Sequence, residues 1–161
     1  MTIIEVKWSG PFDLKTIQTL HSSEDFGVYQ IYGTHNISGP KTLLYIGQAN
    51  EQRFGGRIPQ HEWLDWDFPD FEIYVGRLGG DEQYDFDMWA RQIHIVEKIL
   101  IDHCQPPYNS KLLQGLDNSI DNQTLIINFG KRYKLPFEIS TIWRQTKHNL
   151  GLWKPYTNAP K

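Results

Sequence analysis

The sequence contains few of the residues that stabilise small proteins by covalent or metal cross-links. Its single cysteine, Cys104, excludes an internal disulfide framework. It has neither a Cys-X-X-Cys pair for zinc nor a glycine-rich loop followed by lysine for a nucleotide phosphate. Stability must therefore come from a hydrophobic core, and any functional site must be assembled from side chains scattered along the chain.

Long apolar runs are also missing. No segment approaches the ~18 consecutive apolar residues that a membrane-spanning helix requires. The first residues lack the basic stretch and apolar run of a secretion signal. We therefore expect a cytoplasmic protein without a membrane partner.

An overall excess of positive charge is absent, because the net charge is −3. The charges are unevenly distributed, however. Residues 61–105 carry eleven acidic and three basic side chains, whereas residues 106–161 carry three acidic and eight basic ones. A nucleic-acid-binding protein needs a basic face rather than a basic total. The C-terminal third could supply that face, although ordinary solvated charges explain the same composition equally well.

The remaining composition is typical of one globular domain. The 161 residues are 39% hydrophobic, 22% charged and 14% aromatic, which is enough to bury a core. Residues 1–25 predict a strand and a helix packed on a core that spans residues 26–114. Residues 115–161 form a basic C-terminal extension, which begins in a stretch rich in Gly, Asp and Asn and which we expect to belong to the same globule.

The most informative stretch is a predicted β-hairpin. Two runs rich in β-branched and aromatic residues, 27–32 and 43–47, flank a polar loop, and a later run, 71–76, alternates apolar and polar residues and predicts a third strand. Pairing of the two strands brings Tyr29 and Tyr45 close together in one sheet, although the register decides whether they share a face. Taken alone, these tyrosines are as easily explained as packing residues of a core.

Four polar residues follow the hairpin at informative positions. Arg57 and His61 are four residues apart, so a helix that begins near Arg57 presents both on one face. Glu97 borders the apolar stripe of a clearly predicted helix, where an ionised carboxylate is costly unless it is paired or bound to a metal. A double proline ends that helix, and Asn109 then lies on an extended segment that its side chain can tie to the sheet.

Several of these residues also have a purely structural explanation. Glu97 can pair with Arg91 or Lys98, and Asn109 can be a simple turn residue. His94, three residues before Glu97, has a spacing that suits a second metal ligand, but most histidines on helices are structural or exposed.

Taken together, these residues make the chain resemble the GIY-YIG nuclease superfamily over residues 26–111. The matching elements, in order, are Gly27-Val28-Tyr29, Tyr45-Ile46-Gly47, Arg57 with His61 one turn on, Glu97 and Asn109. Val28 replaces the isoleucine of the first half-motif. An insert at residues 54–56 makes Arg53 a rival for the arginine role, but we favour Arg57 because His61 is in phase with it.

The resemblance implies a fold and an activity. The fold is α+β, with a small, mostly antiparallel, three-stranded central sheet flanked by helices and followed by the C-terminal extension. The activity is divalent-metal-dependent endonucleolytic hydrolysis of DNA, either restriction-like or structure-selective. Mg²⁺, with Mn²⁺ as a substitute, would be held by Glu97, because a single hard cation needs few protein carboxylates and keeps several waters.

The resemblance also implies a role for each residue. Arg57 offers a planar, always charged donor to the phosphate. A tyrosine titrates near ~10, so one that acts as a base needs a cation beside it. Tyr29 is the expected general base, Tyr45 orients water or phosphate, and His61 assists or is itself the base. Asn109 completes the set of predicted catalytic residues.

DNA contacts outside the catalytic residues are predicted from the basic side chains. The candidates are Arg53, Lys131, Arg132, Lys134, Arg144 and Lys147. Two alternatives stay open: a nucleic-acid-binding module that keeps the fold without catalysis, and a domain of another kind with a chance match. The DNA that is cut, a homodimeric state and the need for a partner protein are also left open.

Overall fold

The computed structural model of the chain describes residues 1–65, 70–79, 85–109, 120 and 123–142. Within them the chain forms one six-stranded mixed sheet that curls into a half-barrel. The strands are β1 (Thr2–Phe12), β2 (Gly27–His35), β3 (Gly39–Ala49), β4 (Glu72–Leu78), β5 (Thr124–Gly130) and β6 (Glu138–Ser140). Their order across the sheet is β3-β2-β4-β1-β5-β6. The β1–β5 pair is parallel, and the other neighbouring pairs are antiparallel.

The predicted three-stranded central sheet is wrong. The three predicted strands exist as β2, β3 and β4, but β4 does not end the sheet, because its free edge pairs with β1. β1 in turn pairs along its whole N-terminal part with β5, from Thr2 opposite Thr124 onward. An unpaired strand edge exposes a row of backbone donors and acceptors; β1 satisfies that edge of β4, and β5 satisfies the other edge of β1. The sheet therefore includes both segments that the sequence placed outside its centre.

Three α-helices accompany the sheet in the described residues: α1 (Leu14–Ile17), α2 (Phe54–Arg57) and α3 (Phe86–Cys104). α3 is the predicted long helix. Asp85 caps its N-terminus, since the side chain of Asp85 accepts a hydrogen bond from the backbone N–H of Met88. Gln105 caps its C-terminus in the left-handed conformation. No helix in this part of the chain is long and apolar enough to cross a membrane.

The prediction that a helix begins near Arg57 is wrong. α2 ends at Arg57, and two 3₁₀ helices follow at Ile58–Gln60 and Glu62–Asp65. The two glycines of the insert at residues 54–56 lie inside α2. Gly55 is buried there, and a Cβ atom on it would come within 2.7 Å of Nε2 of His21. Close packing of the helix against the preceding loop therefore explains this glycine.

The two faces of β2 are both buried, and this places the candidate site. Val28 and Tyr32 join the hydrophobic cluster that packs against α3, whereas Tyr29 and Ile31 join the cluster that packs against α2. Successive side chains on a strand point to opposite faces. Tyr29 therefore lies on the face of the sheet that α2 covers.

Candidate active site

The hairpin register places the two tyrosines on one face of the sheet. Tyr29 lies opposite Gly47, and Tyr45 lies opposite Ile31. Residues two apart on a strand share a face, so the two phenol rings are diagonal neighbours. Their ring centroids are 6.1 Å apart. The predicted hairpin, and the closeness of its two tyrosines, are confirmed.

Gly47 is glycine because both phenol rings pass over it. A Cβ atom at this position would lie 2.5 Å from Cζ and the hydroxyl oxygen of Tyr29, and 2.7 Å from Cε1 of Tyr45. Real Cβ atoms do not approach ring atoms this closely, so any side chain here would displace a ring. The glycine thus fixes the positions of both tyrosines.

His61 completes a compact aromatic cluster with the tyrosines. Its Nε2 atom is 2.8 Å from the hydroxyl oxygen of Tyr29, and its ring centroid is 4.6 Å from that of Tyr45. Trp63 packs beside it, with ring centroids 5.3 Å from His61 and 5.9 Å from Tyr45. Sequence reasoning assigned no role to Trp63, because an isolated aromatic residue carries no signal of its partner.

Burial changes the acid–base properties of this cluster. Tyr29 is 0% exposed, and this burial raises the pKa of its hydroxyl. Tyr45 and Glu97 raise that pKa further, whereas the charge of Arg57 lowers it. Burial and then Glu97 also raise the pKa of the half-buried Tyr45, whereas Arg57 lowers it. Burial and then Arg57 lower the pKa of His61 to about 4. His61 is therefore a neutral imidazole near pH 7, and its environment disfavours the protonated form.

Arg57, rather than Arg53, belongs to this cluster. The positive charge of Arg57 acts on both tyrosines and on Glu97, and its guanidinium donates a hydrogen bond to Oε1 of Gln60 at 3.2 Å. Arg53 points elsewhere: its Nε donates to the carbonyl of Ser22, and its guanidinium carbon lies 5.6 Å from the ring centroid of Phe26. The structure thus separates the two arginines that the sequence left as rivals.

Glu97 reaches the same region from α3. It is only 7% exposed, and burial raises its pKa to about 7, although Arg57, Lys98 and the backbone N–H of Gln48 oppose this shift. Its charge is close enough to raise the pKa values of both phenols. Nδ1 of His94 lies 3.8 Å from its Oε2 atom. The carboxylate and the two phenols, far apart in the sequence, therefore share one electrostatic environment.

Asn109 holds the outer edge of β3. Its Oδ1 accepts a hydrogen bond from the backbone N–H of Ile46 at 2.9 Å, and its Nδ2 donates to the carbonyl of Ile46 at 2.7 Å. The backbone N–H of Tyr108 donates to the carbonyl of Leu44 at 3.0 Å. The predicted tie between Asn109 and the sheet is confirmed. These contacts satisfy an edge strand that carries Tyr45, so Asn109 positions the site.

Gln48 is a site residue that sequence reasoning missed. Its side-chain Nε2 lies 3.1 Å from Nδ1 of His94, and its backbone N–H faces Glu97. Its Oε1 atom is buried and has no hydrogen-bond partner in the described part of the chain. A glutamine that follows a strand motif is common, so no sequence signal distinguishes it.

The donor set near Glu97 fits a hard cation such as Mg²⁺. The described residues contain no group of three or more His, Cys, Asp or Glu side chains that could enclose a metal ion. Glu97 supplies one buried carboxylate as an oxygen donor. Mg²⁺ accepts a small number of protein oxygens and keeps its remaining waters. A buried carboxylate with a raised pKa would also be stabilised by such a cation.

The predicted basic DNA contacts are not all at this site. The guanidinium of Arg132 donates to the carbonyl of Leu135, and the ammonium of Lys134 donates to the carbonyl of Lys41. Their loop, which follows the exposed Lys131, packs on the α3 side of the sheet through Leu135 and its neighbours. Arg144 and Lys147 lie outside the described residues.

No family model, curated protein or solved structure matches this chain. The resemblance to the GIY-YIG nucleases is therefore a prediction made from the residues of the chain alone.

Proposed function

We propose that the protein is a divalent-metal-dependent endonuclease that hydrolyses phosphodiester bonds of DNA. One observation carries the proposal: side chains from β2, β3, α2, the following turn and α3 share one electrostatic environment. The group combines a permanent cation, a buried carboxylate, two phenols and a neutral imidazole. These residues are Tyr29, Tyr45, Arg57, His61 and Glu97.

Arg57 would bind and stabilise the phosphate. It is half-buried and lies beside the cluster, so its charge is less screened than that of a surface arginine. The guanidinium presents paired N–H donors that match two phosphate oxygens and that oppose the negative charge of the transition state. Its hydrogen bond to Gln60 fixes the direction of the side chain.

Tyr45 is better placed than Tyr29 to contact the attacking water. Tyr29 is completely buried, whereas Tyr45 is half-buried. Burial and then Glu97 raise the pKa of Tyr45, whereas the charge of Arg57 and a hydrogen bond with Tyr29 oppose this shift. Tyr29 and His61 lie behind Tyr45, joined by the 2.8 Å hydrogen bond. We therefore assign the general base to Tyr45, with Tyr29 and His61 orienting its hydroxyl.

Glu97 would hold the cation through its buried carboxylate. Bound Mg²⁺ would supply Lewis-acid assistance to the leaving oxygen and would offset the Glu97 charge that raises the pKa of Tyr45. His94, 3.8 Å from Glu97, would help to orient the carboxylate.

The test is incubation of the protein with plasmid, branched and single-stranded DNA, in Mg²⁺ or in chelator. We expect cutting of at least one substrate in Mg²⁺, none in chelator, and none by Glu97→Gln, which should still bind DNA. Glu138→Gln is the matched control, because Glu138 is exposed on β6 at the opposite end of the sheet. Absence of Mg²⁺-dependent cutting on every substrate would reject the enzyme assignment.

A nucleic-acid-binding module without catalysis is the second candidate. The observation that favours it is the complete burial of Tyr29, since a buried phenol with a raised pKa also suits a structural role. Such a module would bind DNA equally well with and without the carboxyl group of Glu97, and neither form would cut.

A further inference from the structure

A cavity of about 480 Å³ opens beside the candidate active site. Arg57 forms part of its wall, so the cavity adjoins the position expected for the scissile phosphate. Four of the other lining side chains are carboxamides: Gln48, Asn50, Gln52 and Gln60. Small-molecule sites typically occupy roughly 300–1,000 Å³, so the cavity is large enough for a nucleobase.

The lining is rich in hydrogen-bonding groups and close to neutral. Its permanently charged side chains are one cation, Arg57, and one anion, Glu51. Each carboxamide offers a donor and an acceptor in one plane, the pattern that matches the edge of a base. This chemistry favours an uncharged, planar, polar group over a second phosphate.

The cavity wall is linked directly to the phosphate-binding cation. Arg57 donates to Oε1 of Gln60 at 3.2 Å, and Nε2 of Gln60 donates to Oε1 of Gln52 at 2.7 Å. These contacts hold two of the carboxamides in place before any ligand binds.

Gln48 presents an unmet hydrogen-bonding capacity in the same lining. Its Oε1 atom is buried and has no partner among the residues that the structure describes. A buried acceptor without a donor is destabilising, and a ligand donor would remove that cost. Every unpaired nucleobase offers a donor, which is an exocyclic amine in adenine, cytosine and guanine and a ring N–H in thymine.

We propose that this cavity binds an unstacked nucleobase next to the phosphate held by Arg57. The inference rests on the proposed nuclease function and adds a substrate class to it. A base inside a duplex is stacked and cannot enter a cavity, so it must be unpaired or flipped. The cavity therefore favours structure-selective cutting at unpaired nucleotides over restriction-like cutting of intact duplex.

The first test measures binding of dAMP, deoxyribose phosphate and inorganic phosphate by NMR, with the side-chain amide signals of glutamine and asparagine as reporters. We expect dAMP to bind roughly tenfold more tightly than the two phosphates that lack a base. Gln48→Met and Gln52→Ala should reduce that ratio towards one. Gln123→Ala, immediately before β5, is the matched control and should preserve it. Equal affinity for dAMP and the two base-free phosphates would overturn the inference.

The second test separates the cavity from the nuclease activity. Oligonucleotides with a single unpaired adenine or a single abasic site beside a cleavable bond are incubated with the wild type in Mg²⁺. Faster cutting at adenine, lost in Gln52→Ala, supports the inference. Cutting that ignores the base overturns it and leaves the nuclease assignment intact. Selective dAMP binding without any cutting would support the base site and reject the nuclease.

Discussion

Burial gives Glu97 an unfavourable environment for a negative charge. It is 7% exposed, and burial raises its pKa from 4.5 to about 7. In the unfolded chain the same group would ionise near its ordinary value, so folding favours the protonated form. A buried carboxylate that is retained at such a cost is a common property of catalytic and metal-binding residues.

The first prediction concerns the pH dependence of stability. Because the folded pKa lies above the unfolded one, Glu97 favours folding fully below pH 4.5, and that contribution is lost as the pH rises through about 7. The loss is up to roughly 3 kcal/mol at the conversion of one pKa unit to about 1.4 kcal/mol. Glu97→Gln should therefore gain stability over the wild type between these pH values.

Thermal unfolding of the two proteins from pH 4 to pH 8 measures this difference. Mg²⁺ at pH 8 should raise the melting temperature of the wild type and leave that of Glu97→Gln unchanged. Parallel pH curves for the two proteins would show that the carboxyl group of Glu97 is not destabilised by burial.

The second prediction tests whether the hydroxyl of Tyr29 positions the proposed base, Tyr45. Tyr29→Phe removes the hydroxyl that contacts Nε2 of His61, and the resulting misplacement of Tyr45 should reduce cutting by roughly 100-fold. Tyr32→Phe is the matched control, because its buried hydroxyl donates to Oε1 of Gln30 at 2.6 Å on the other face of β2. Urea unfolding should give similar losses of stability for both. Equal cutting rates would remove Tyr29 from the proposed mechanism.

At the scale of elements, the outer edge of β3 decides the site geometry. The strand lies at the end of the six-stranded sheet, so one side of its backbone has no neighbouring strand. Asn109 and Tyr108 from the segment after α3, and the Glu97 carboxylate, satisfy that side. The end of β3 therefore brings α3 and its following segment close to Tyr45.

The third prediction tests this edge. Asn109→Ala leaves both the N–H and the carbonyl of Ile46 without their partners, and should cost roughly 2 kcal/mol of unfolding free energy. Urea unfolding gives that free energy, and hydrogen exchange should show faster exchange of the Ile46 amide. Asn36→Ala, in the exposed hairpin loop, is the control and should behave as the wild type. Unchanged exchange at Ile46 would mean that the edge does not depend on Asn109.

The sequence predicted the strands and helices whose patterns come from neighbouring residues, but it did not predict the segments that connect them. The period-two pattern of β4 and the apolar stripe of α3 depend only on neighbouring residues. The 3₁₀ helices after Arg57 were missed because Pro59 and the packing of Phe54 and Gly55 set the backbone there. The prediction that Arg57 and His61 share one face of a helix was wrong. Arg57 ends α2 and His61 follows the first 3₁₀ helix, yet both side chains belong to the cluster.

At the scale of the whole molecule, the net charge of −3 limits general attraction to DNA. Under the proposed function, specific contacts from the α2 side, where Arg57 lies, would supply the affinity for DNA. The basic loop around Lys131 packs on the α3 side of the sheet instead. A DNA molecule on the α2 side would therefore contact Arg57 and not that loop.

The fourth prediction follows from this charge distribution. DNA affinity, measured by fluorescence anisotropy in a Glu97→Gln background, should fall as the salt concentration rises, because phosphate contacts release counterions. Arg57→Ala should lower the slope of log affinity against log salt by about one. Lys131→Ala should leave the slope unchanged. A lower slope for Lys131→Ala instead would place the DNA on the C-terminal basic residues.

The sequence by itself determined the hairpin, β4, α3 and the identity of the polar residues that follow them, because each depends on residues close together in the chain. Only the tertiary structure decided that the sheet has six strands, since β1 pairs with β5, a segment far from it in the sequence. The tertiary structure likewise decided that Arg57, and not Arg53, faces Glu97 and the tyrosines. It also revealed the carboxamide-lined cavity beside them. Pairing of distant strands and burial of charges depend on contacts between residues remote in sequence, which no local pattern records.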